Sequence, residues 1–573
     1  MAPKINATSC DVLIIGAGGA GLRAAIEAHE VGAKVIVLSK SLLGKAHTVM
    51  AEGGIAASVA NVDSKDNWKV HFSDTVIEGG YIGDWRMIEK LAKEAPDRVY
   101  ELEHYGALFD RTADGKIMQR AFGAHTYRRL CHVGDKTGLE LIRTLQDQIL
   151  HRDIKILDEL YVTKLIVKEN SIKGAIGFSM RTGEFFSFAC KAVIVATGGA
   201  GMVYRVTSNS WESTGDGMAL AYEAGAALKD MEMVQFHPTG MVYPLGVRGL
   251  LVTEGVRGEG GYLYNSKMER FMIRYSPERK ELDARDVVAR AIYNEIIEGR
   301  GTEHNAVYLD IKHKGAQFIL KKLPAMYTQF KDFAGIDITK EMMEVAPTVH
   351  YFMGGIEVDP ESSATSVVGL YAAGEAAAGV HGANRLGGNS LADILVFGRQ
   401  VGRHAGKFAL SIPIPKLEDN EVEGEIERIM AFTEKKNGIN PNELIDTLRD
   451  TMSAHVGIIR NEPELESALS KINALNKKYS EVYAPGGVVF NHGLLYCMEL
   501  KSMLTIAQAI VLCAIWRKES RGAHTRSDYP KKDIAFRKNS IVRLEKDSMT
   551  ISYRELVEMP KHLSALVKEE EYK

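Results

Sequence analysis

Six residues near the N-terminus, Gly16-Ala17-Gly18-Gly19-Ala20-Gly21, follow a short apolar run and precede a stretch of helical composition. Their spacing is G-x-G-x-x-G. Glycine at these places lets the backbone turn tightly and approach a pyrophosphate, whose charge is favoured by the free N–H groups and dipole of a helix start. The motif alone is weak, because a glycine turn without a ligand has the same composition. Its place directly after a strand favours a dinucleotide. The next candidate strand ends in Ser39-Lys40, where a plain NAD site carries an acidic residue for the ribose hydroxyls. That departure argues against NAD. Thr197-Gly198-Gly199-Ala200-Gly201 and Thr214-Gly215-Asp216-Gly217 add further backbone-exposing turns, the second read as a loop. Turns spread over this much chain suit an extended FAD, whereas a mononucleotide needs only one.

These turns require strands and helices to hold them. Asp11–Ile15 reads as a buried strand, Ala20–Val31 as a helix and Lys34–Leu38 as a second strand, a β-α-β unit. Between Tyr161 and Ala196, short β-rich runs broken at Glu169-Asn170 and Thr182-Gly183 read as an antiparallel meander. It ends in the buried strand Ala192–Ala196 just before the Thr197 turn. Gly369–Ala373, followed by Gly374-Glu375, is again strand then glycine. The stretch from Lys229 to about Ala346 does not continue the repeat and reads as an insertion, with Pro347 as its hinge. From about Leu417 to Tyr483 the chain is charged and helical. Leu444, Leu448, Met452 and Val456 recur every fourth residue, and Leu465, Leu469, Ile472 and Leu475 follow the same logic. A last segment from about Arg517 is rich in Arg, Lys and Asp, and Glu569–Glu571 reads as a solvated end.

Composition removes several function classes. The 573 residues suggest about four domain-sized units. Hydrophobic residues at 45% and charged residues at 25% are ordinary for a globular chain. Lys+Arg 71 against Asp+Glu 74 leaves a net charge of -3, with no global field to attract nucleic acid or lipid. Cys10, Cys131, Cys190, Cys497 and Cys513 form no C-x-x-C. No metal or iron–sulfur site built from this chain alone is expected, and the pattern suits a reducing compartment. No secretory signal is visible at Met1 to Cys10. The apolar run Met503–Trp516 is shorter than the roughly 20 residues a bilayer needs and reads as a buried helix.

Further motifs recur in a fixed order. They are Ala46-His47-Thr48-Val49 with Ala51-Glu52-Gly53-Gly54, then Gln235-Phe236-His237-Pro238-Thr239-Gly240 and Thr253-Glu254-Gly255-Val256-Arg257-Gly258-Glu259-Gly260-Gly261. Ala284-Arg285-Asp286-Val287, His350-Tyr351-Phe352-Met353-Gly354-Gly355, His381-Gly382-Ala383-Asn384-Arg385-Leu386-Gly387 and Lys518-Glu519-Ser520-Arg521-Gly522-Ala523-His524 follow. From residue 11 to about 530, the sequence resembles the flavoprotein subunit of succinate dehydrogenases and fumarate reductases. That resemblance implies an α/β fold with an α+β insert. Its Rossmann-like FAD-binding domain would be split over 1–233 and 347–411. A capping domain at 234–346, a helical domain at 412–516 and a small C-terminal domain at 517–573 would complete it.

The resemblance also implies roles. His47 would carry FAD through a bond from an imidazole nitrogen to the flavin 8α carbon, which needs a neutral, nucleophilic ring. The cofactor would lie along Gly16 to Gly21, Ser39, Lys40, Thr48, Glu52, Gly53, Gly54, Thr197, Gly198, Gly199 and Asp216. Glu375 would take its ribose, Ser390 and Leu391 its ring, with Arg385 close by. His237, Thr253, Glu254, His350, Arg385 and Gly387 would hold a dicarboxylate, arginine being suited to bidentate carboxylate binding. Arg285 would face the carbon that gains or loses a proton while hydride passes between the other carbon and flavin N5. A free guanidinium has a pKa near ~12.5, so the implied relay runs through Glu254 and Arg257, whose positive cluster eases proton loss. A purely electrostatic Arg285, with a histidine moving the proton, is the competing reading.

The activity so implied is interconversion of succinate and fumarate. Glu52 adds a slight lean to fumarate reduction, since many succinate-oxidising members carry Gln there. Electrons would pass to an iron–sulfur protein and to a membrane anchor with quinone. The chain itself would be peripheral on the cytoplasmic face of the cell membrane, without a span of its own. A soluble thiol-linked donor is a further option for the electron partner. The competing enzyme is a soluble L-aspartate oxidase, whose members lack His at position 47. A non-catalytic assembly protein of the same fold would lack the substrate histidines and arginines. Phe536-Arg537-Lys538-Asn539-Ser540 departs from the family's W-x-K-H-T-like segment, which leaves docking of the last domain open.

Overall fold

The computed structural model describes residues 4–568 and 570. Its main sheet is built around strand Phe185–Val195. Strand Ile5–Ile15 runs parallel to it along its whole length, pairing Val12 with Ala192 and Ile15 with Val195. Val35–Leu38 and then Lys155–Leu157 extend the sheet in parallel beyond Ile5–Ile15. On the other side the pairing changes along one strand. The first half of Phe185–Val195 is antiparallel to Ser171–Ser179, which pairs in turn with Leu160–Lys168. Its second half is parallel to Leu370–Ala372. The meander and the β-α-β unit therefore share one sheet. The parallel strands Ile5–Ile15, Val35–Leu38, Phe185–Val195 and Leu370–Ala372 all end on the side where ligands of open α/β sheets sit.

Two helices bring their N-termini to that same edge. Gly19–Glu30 packs along Asn389–Leu410 through small residues, and a Cβ on Gly402 would lie 2.3 Å from the Ala24 carbonyl oxygen. Neither helix has a capping side chain at its own N-cap residue, which is glycine in both.

The segment 234–346 carries a second, four-stranded antiparallel sheet, Val234–Met241, Met343–Phe352, Val307–Asp310 and Tyr262–Tyr264. It has its own apolar core, including Met241, Val256, Phe271, Ile292 and Phe330. Pro347 does not act as a hinge: it sits inside the strand Met343–Phe352, opposite an irregularity in the partner strand. Helices Asp419–Glu434, Pro441–His455 and Glu462–Lys478 cover His492–Trp516. That last helix contains the apolar run, and 78% of its apolar window is buried within the protein. The C-terminal hairpin, Lys538–Glu545 with Ser548–Glu555, pairs back onto Leu228–Lys229. Glu570 is not solvated but buried against Arg521, while Glu569 and Glu571 lie outside the described residues.

The close helix pair yields a paired expectation. Gly402→Ala forces a Cβ onto backbone and is expected to cost ~1–3 kcal/mol. Gly424→Ala, in helix Asp419–Glu434 with open space around it, is expected to gain ~0.5–1 kcal/mol. Thermal unfolding of the two variants checks both signs.

Candidate active site

The sheet edge opens into one partly enclosed cavity, lined by residues from Ile15 to Ile394. Its first limb is the glycine turn. Gly16 has φ 113°, and a Cβ on it would lie 2.2 Å from the Ala196 carbonyl oxygen. A Cβ on Gly21 would lie 1.9 Å from the Gly16 carbonyl oxygen, so Gly21 closes the turn from behind and does not line the cavity. The Gly19 N–H donates to Thr48 Oγ1 at 3.2 Å, tying the turn to the segment that bears His47.

Lys40 lies at the end of that limb. It ion-pairs with Asp216 at 2.8 Å and with Glu499 of helix His492–Trp516 at 2.6 Å. Asp216 is not in a loop: it is the first residue of helix Asp216–Glu223, and it also accepts from Tyr161 Oη at 3.0 Å. At the middle of the cavity, Glu375 Oε1 accepts the Phe352 N–H at 3.0 Å and packs where Gly199 leaves no side chain. Burial pushes the Glu375 carboxyl up to about 7.

His47 stands half-buried in a short turn, His47–Met50. Its Nδ1 accepts the backbone N–H of Ser210 at 3.2 Å, and Asn209 Nδ2 faces Nε2 at 3.4 Å. That same Nδ2 donates to the His350 carbonyl at 2.8 Å, which fixes the orientation of the amide. Neither ring nitrogen meets an acceptor in these contacts. Burial takes the imidazole down to about 4, so the ring is neutral at ordinary pH.

The second limb draws its side chains from both sheets. His237 and His350 lie on the paired strands Val234–Met241 and Met343–Phe352, with ring centroids 5.1 Å apart. Gln235 pairs with Tyr351 and Phe236 with Val349, so His350 is the extra residue of a bulge that turns it into the cavity. Ser208 Oγ lies 2.8 Å from His350 Nδ1, and His237 Nδ1 lies 2.9 Å from the Thr239 carbonyl. Arg285 is the first residue of helix Arg285–Glu295, and Arg385 precedes the start of Asn389–Leu410.

Gln235 joins the two arginines. Its Oε1 accepts from Arg285 Nη1 at 3.1 Å and from Arg385 Nη2 at 3.2 Å. Arg385 also stacks over the Tyr351 ring at 4.2 Å. Arg285 Nε donates to Glu254 Oε2 at 2.8 Å, and Arg257 Nη2 faces the same oxygen at 3.7 Å. Arg257 itself is fully buried behind Glu254 and does not line the cavity.

The electrostatics are one-sided. Burial opposes ionisation of Glu254, but Arg285 and Arg257 outweigh it and hold the carboxyl below its ordinary range. Burial, reinforced by Arg285, takes Arg385 down to about 9. His237 and His350 are pushed well below their ordinary range by burial and neighbouring positive charge, hence neutral. Burial and Asp135 push the Glu52 carboxyl well above its ordinary range. Arg285 and Arg385 at the wall, with Arg257 behind, outnumber Glu254 in this limb, and the limb favours an anion.

The residues fit a long dinucleotide. At Gly16 and Gly19 the cradle has no room for a side chain, and buried Thr197 Oγ1, Ser210 Oγ and Asn209 Oδ1 have no partner among the described residues. The chain matches a family described as FAD binding domain over residues 11–391 and one described as fumarate reductase flavoprotein C-term over 445–572. The chain belongs to the fumarate reductase and succinate dehydrogenase flavoprotein family.

Within that family it is 51% identical to a subunit of the fumarate reductase (CoM/CoB) of Methanothermobacter marburgensis, over 91% of this chain and 94% of that one. It is 41% identical to the succinate dehydrogenase flavoprotein subunit of Coxiella burnetii, over 93% and 94%. Among solved structures, Mycobacterium smegmatis Sdh1 in complex with UQ1 matches with TM-score 0.88 and 50% identity, covering 96% of this chain and 95% of that one. The chain is accordingly a flavoprotein oxidoreductase that binds FAD, with the α/β fold of this family.

Most residues singled out from the sequence meet at this cavity. Gly16 to Ala20, Ser39, Lys40, His47, Thr48, Glu52, Gly53, Gly54, Thr197, Gly198 and Asp216 line one end. His237, Thr253, Glu254, Arg285, His350, Glu375, Arg385, Ser390 and Leu391 line the rest. Gly21, Gly199, Arg257 and Gly387 stand behind the wall, and the Gly387 carbonyl accepts from His125 Nε2 at 2.7 Å. Sequence reasoning missed Gln235, Tyr351, Ser208, Asn209 and Glu499 as parts of the site. Gln235 sat inside a quoted motif, two residues from His237, on the same face of a strand.

Gln235→Leu keeps the shape but removes the shared acceptor of two buried guanidinium groups. It is expected to lower stability by about 1–3 kcal/mol and dicarboxylate affinity at least several-fold, measured by unfolding and by flavin difference spectra.

Proposed function

We propose that this chain is the catalytic flavoprotein that interconverts succinate and fumarate, with a slight lean to fumarate reduction. The observation that carries this reading is Arg285 and Arg385 joined by Gln235, with Glu254 and Arg257 behind Arg285, set beside two neutral histidines at one cavity. That charge pattern suits a small dianion carrying two carboxylates. The FAD supplies the two-electron hydride chemistry when bound.

The chain's own residues supply the rest. Arg385 and His350 take one carboxylate, and Thr253 and His237 the other, which holds the two central carbons in a fixed relation to the cofactor. For His350, a hydroxyl proton from Ser208 to Nδ1 leaves an N–H on Nε2 to donate to a carboxylate. Arg285 holds the proton for the carbon opposite the hydride. Glu254 is its proton partner, and Arg257 behind Glu254 adds the positive charge that eases proton loss. Gln235 keeps Arg285 and Arg385 apart and aimed. Burial of the whole group keeps water from the reacting carbons.

On the cofactor side, His47 is the tether. Nδ1 accepts the Ser210 N–H, so Nε2 is the nitrogen that would hold the flavin. Ser39, Lys40 and Asp216 serve the adenosine end, Glu375 the ribose, and the N-terminus of Asn389–Leu410, at Ser390 and Leu391, the ring, where a helix start stabilises negative charge. Burial and Asp135 push the Glu52 carboxyl upward, which lessens any charge penalty it brings to a reduced flavin. Presence of His47 favours this reading over an L-aspartate oxidase.

Electrons pass to an iron–sulfur protein and, through a membrane anchor, to quinone; this chain sits peripherally on the cytoplasmic face. A relative named fumarate reductase (CoM/CoB) adds a thiol-linked donor as the second reading of that partner. The chain divides into a split FAD-binding domain at 1–233 and 347–411, a capping domain at 234–346, a helical domain at 412–516 and a C-terminal domain at 517–573.

Arg285→Lys tests the proton role. It is expected to bind dicarboxylate within about tenfold of wild type, yet to lose at least ~10³-fold in turnover, since lysine cannot reach Glu254 and Gln235 together. Near-normal turnover with either succinate or fumarate contradicts the assignment.

A further inference from the structure

Helix Pro324–Ala334 has no cap from its own neighbourhood: Leu323 precedes it and offers no side-chain acceptor. Its first free N–H groups are satisfied from a distant part of the chain. Asp135 Oδ2 accepts the Ala325 N–H at 2.8 Å and the Met326 N–H at 3.3 Å. Asp135 is only 2% exposed. It belongs to the turn before helix Thr137–His151, in the part of the chain that carries His47 and the glycine cradle.

Both ends of this contact lead directly to the site. On one side, the Gly138 N–H donates to the Ala51 carbonyl at 2.6 Å, and Gly138 has no room for a side chain beneath the Thr48 carbonyl. Asp135 is thereby rigidly placed against the segment from His47 to Gly54. On the other side, Met326 and Phe330 are buried in the core of the capping segment with Val252 and Val256. Gln329 Nε2 donates to the Leu251 carbonyl at 2.9 Å, two residues from Thr253. The capping helix therefore moves with Thr253 and Glu254.

We propose that Asp135 is a positioning residue, a helix cap in trans that latches the capping segment onto the flavin segment and so sets the distance between dicarboxylate and flavin. The proposal rests on the reading of the cavity as a dicarboxylate site. An N-cap acts only when its carboxylate meets the open N–H groups, so this one exists only when the two segments are together. A dicarboxylate held by residues of both segments favours the same closed arrangement. Substrate and latch therefore strengthen each other, and saturating substrate offsets loss of the latch.

The test uses the flavin-loaded enzyme with its partner subunits. Asp135→Ala is expected to lower kcat/KM for fumarate roughly 3- to 30-fold, the range of a lost N-cap, while kcat at saturation stays within about threefold. Asp135→Asn and Asp135→Ser, which restore a capping acceptor, are expected to recover most of kcat/KM. Hydrogen exchange without any dicarboxylate provides an arm independent of turnover. Amides of Pro324–Ala334 in Asp135→Ala are expected to exchange about 3- to 30-fold faster, with strand Ile5–Ile15 unchanged. Equal protection of the capping helix in wild type and Asp135→Ala overturns the latch. So does a loss in which kcat and kcat/KM fall together and Asn or Ser fails to rescue. Should wild type not turn over fumarate while the exchange difference holds, the functional reading fails and the latch stands.

Discussion

Arg285 and Arg385 line one cavity with Arg257 buried behind Glu254, and most of the second limb's architecture follows from how that positive charge is matched. Burying an unpaired cation costs several kcal/mol, and a protein tolerates it only with compensating acceptors or a ligand that supplies the missing charge. Here Glu254 serves Arg285 and Arg257, Gln235 serves Arg285 and Arg385, and the Tyr351 ring supports Arg385. The balance is left to a dianion. The neutral histidines fit the same arrangement, because ionising either would add to the positive charge.

This constraint explains why the site is built from several parts of the chain. A single sheet edge cannot present these arginines with their acceptors and a long cofactor at once. The parallel strands and two helix starts provide the cofactor cradle. A second sheet brings His237, Thr253, Glu254 and Arg285 over it, and the bulge at His350 turns a strand residue inward. The strand Met343–Phe352 carries both His350 and the Phe352 N–H that Glu375 accepts, so these two are placed by one element. Such preorganisation favours the charge that develops during reaction over bulk water.

Much of this was legible in the sequence, and the limits have physical causes. The glycine cradle was readable because backbone contact with a large anion leaves little choice of residue. The resemblance carried the histidines and arginines, because their types are dictated by carboxylate chemistry. Gln235 was missed because a neutral amide announces no chemistry until the two cations it separates are seen together. Lys40 with Glu499 was missed since one partner lies in a helix far along the chain. Asp216 was read as a loop residue because glycines flank it, yet Gly215, with φ 79°, is the turn that starts a helix. Pro347 suggested a hinge, but the irregular pairing there accommodates its missing N–H within a strand.

The proposed chemistry rests on a flavin fixed at His47, whose ring burial keeps neutral and whose Nδ1 accepts the Ser210 N–H. The most direct measurement is in-gel fluorescence after denaturation, on protein produced with its partner subunits. The expected result is a yellow fluorescent band at the full chain mass, lost in His47→Ser. A dark band from wild-type protein that was yellow before denaturation contradicts the tether and, with it, this account of the site.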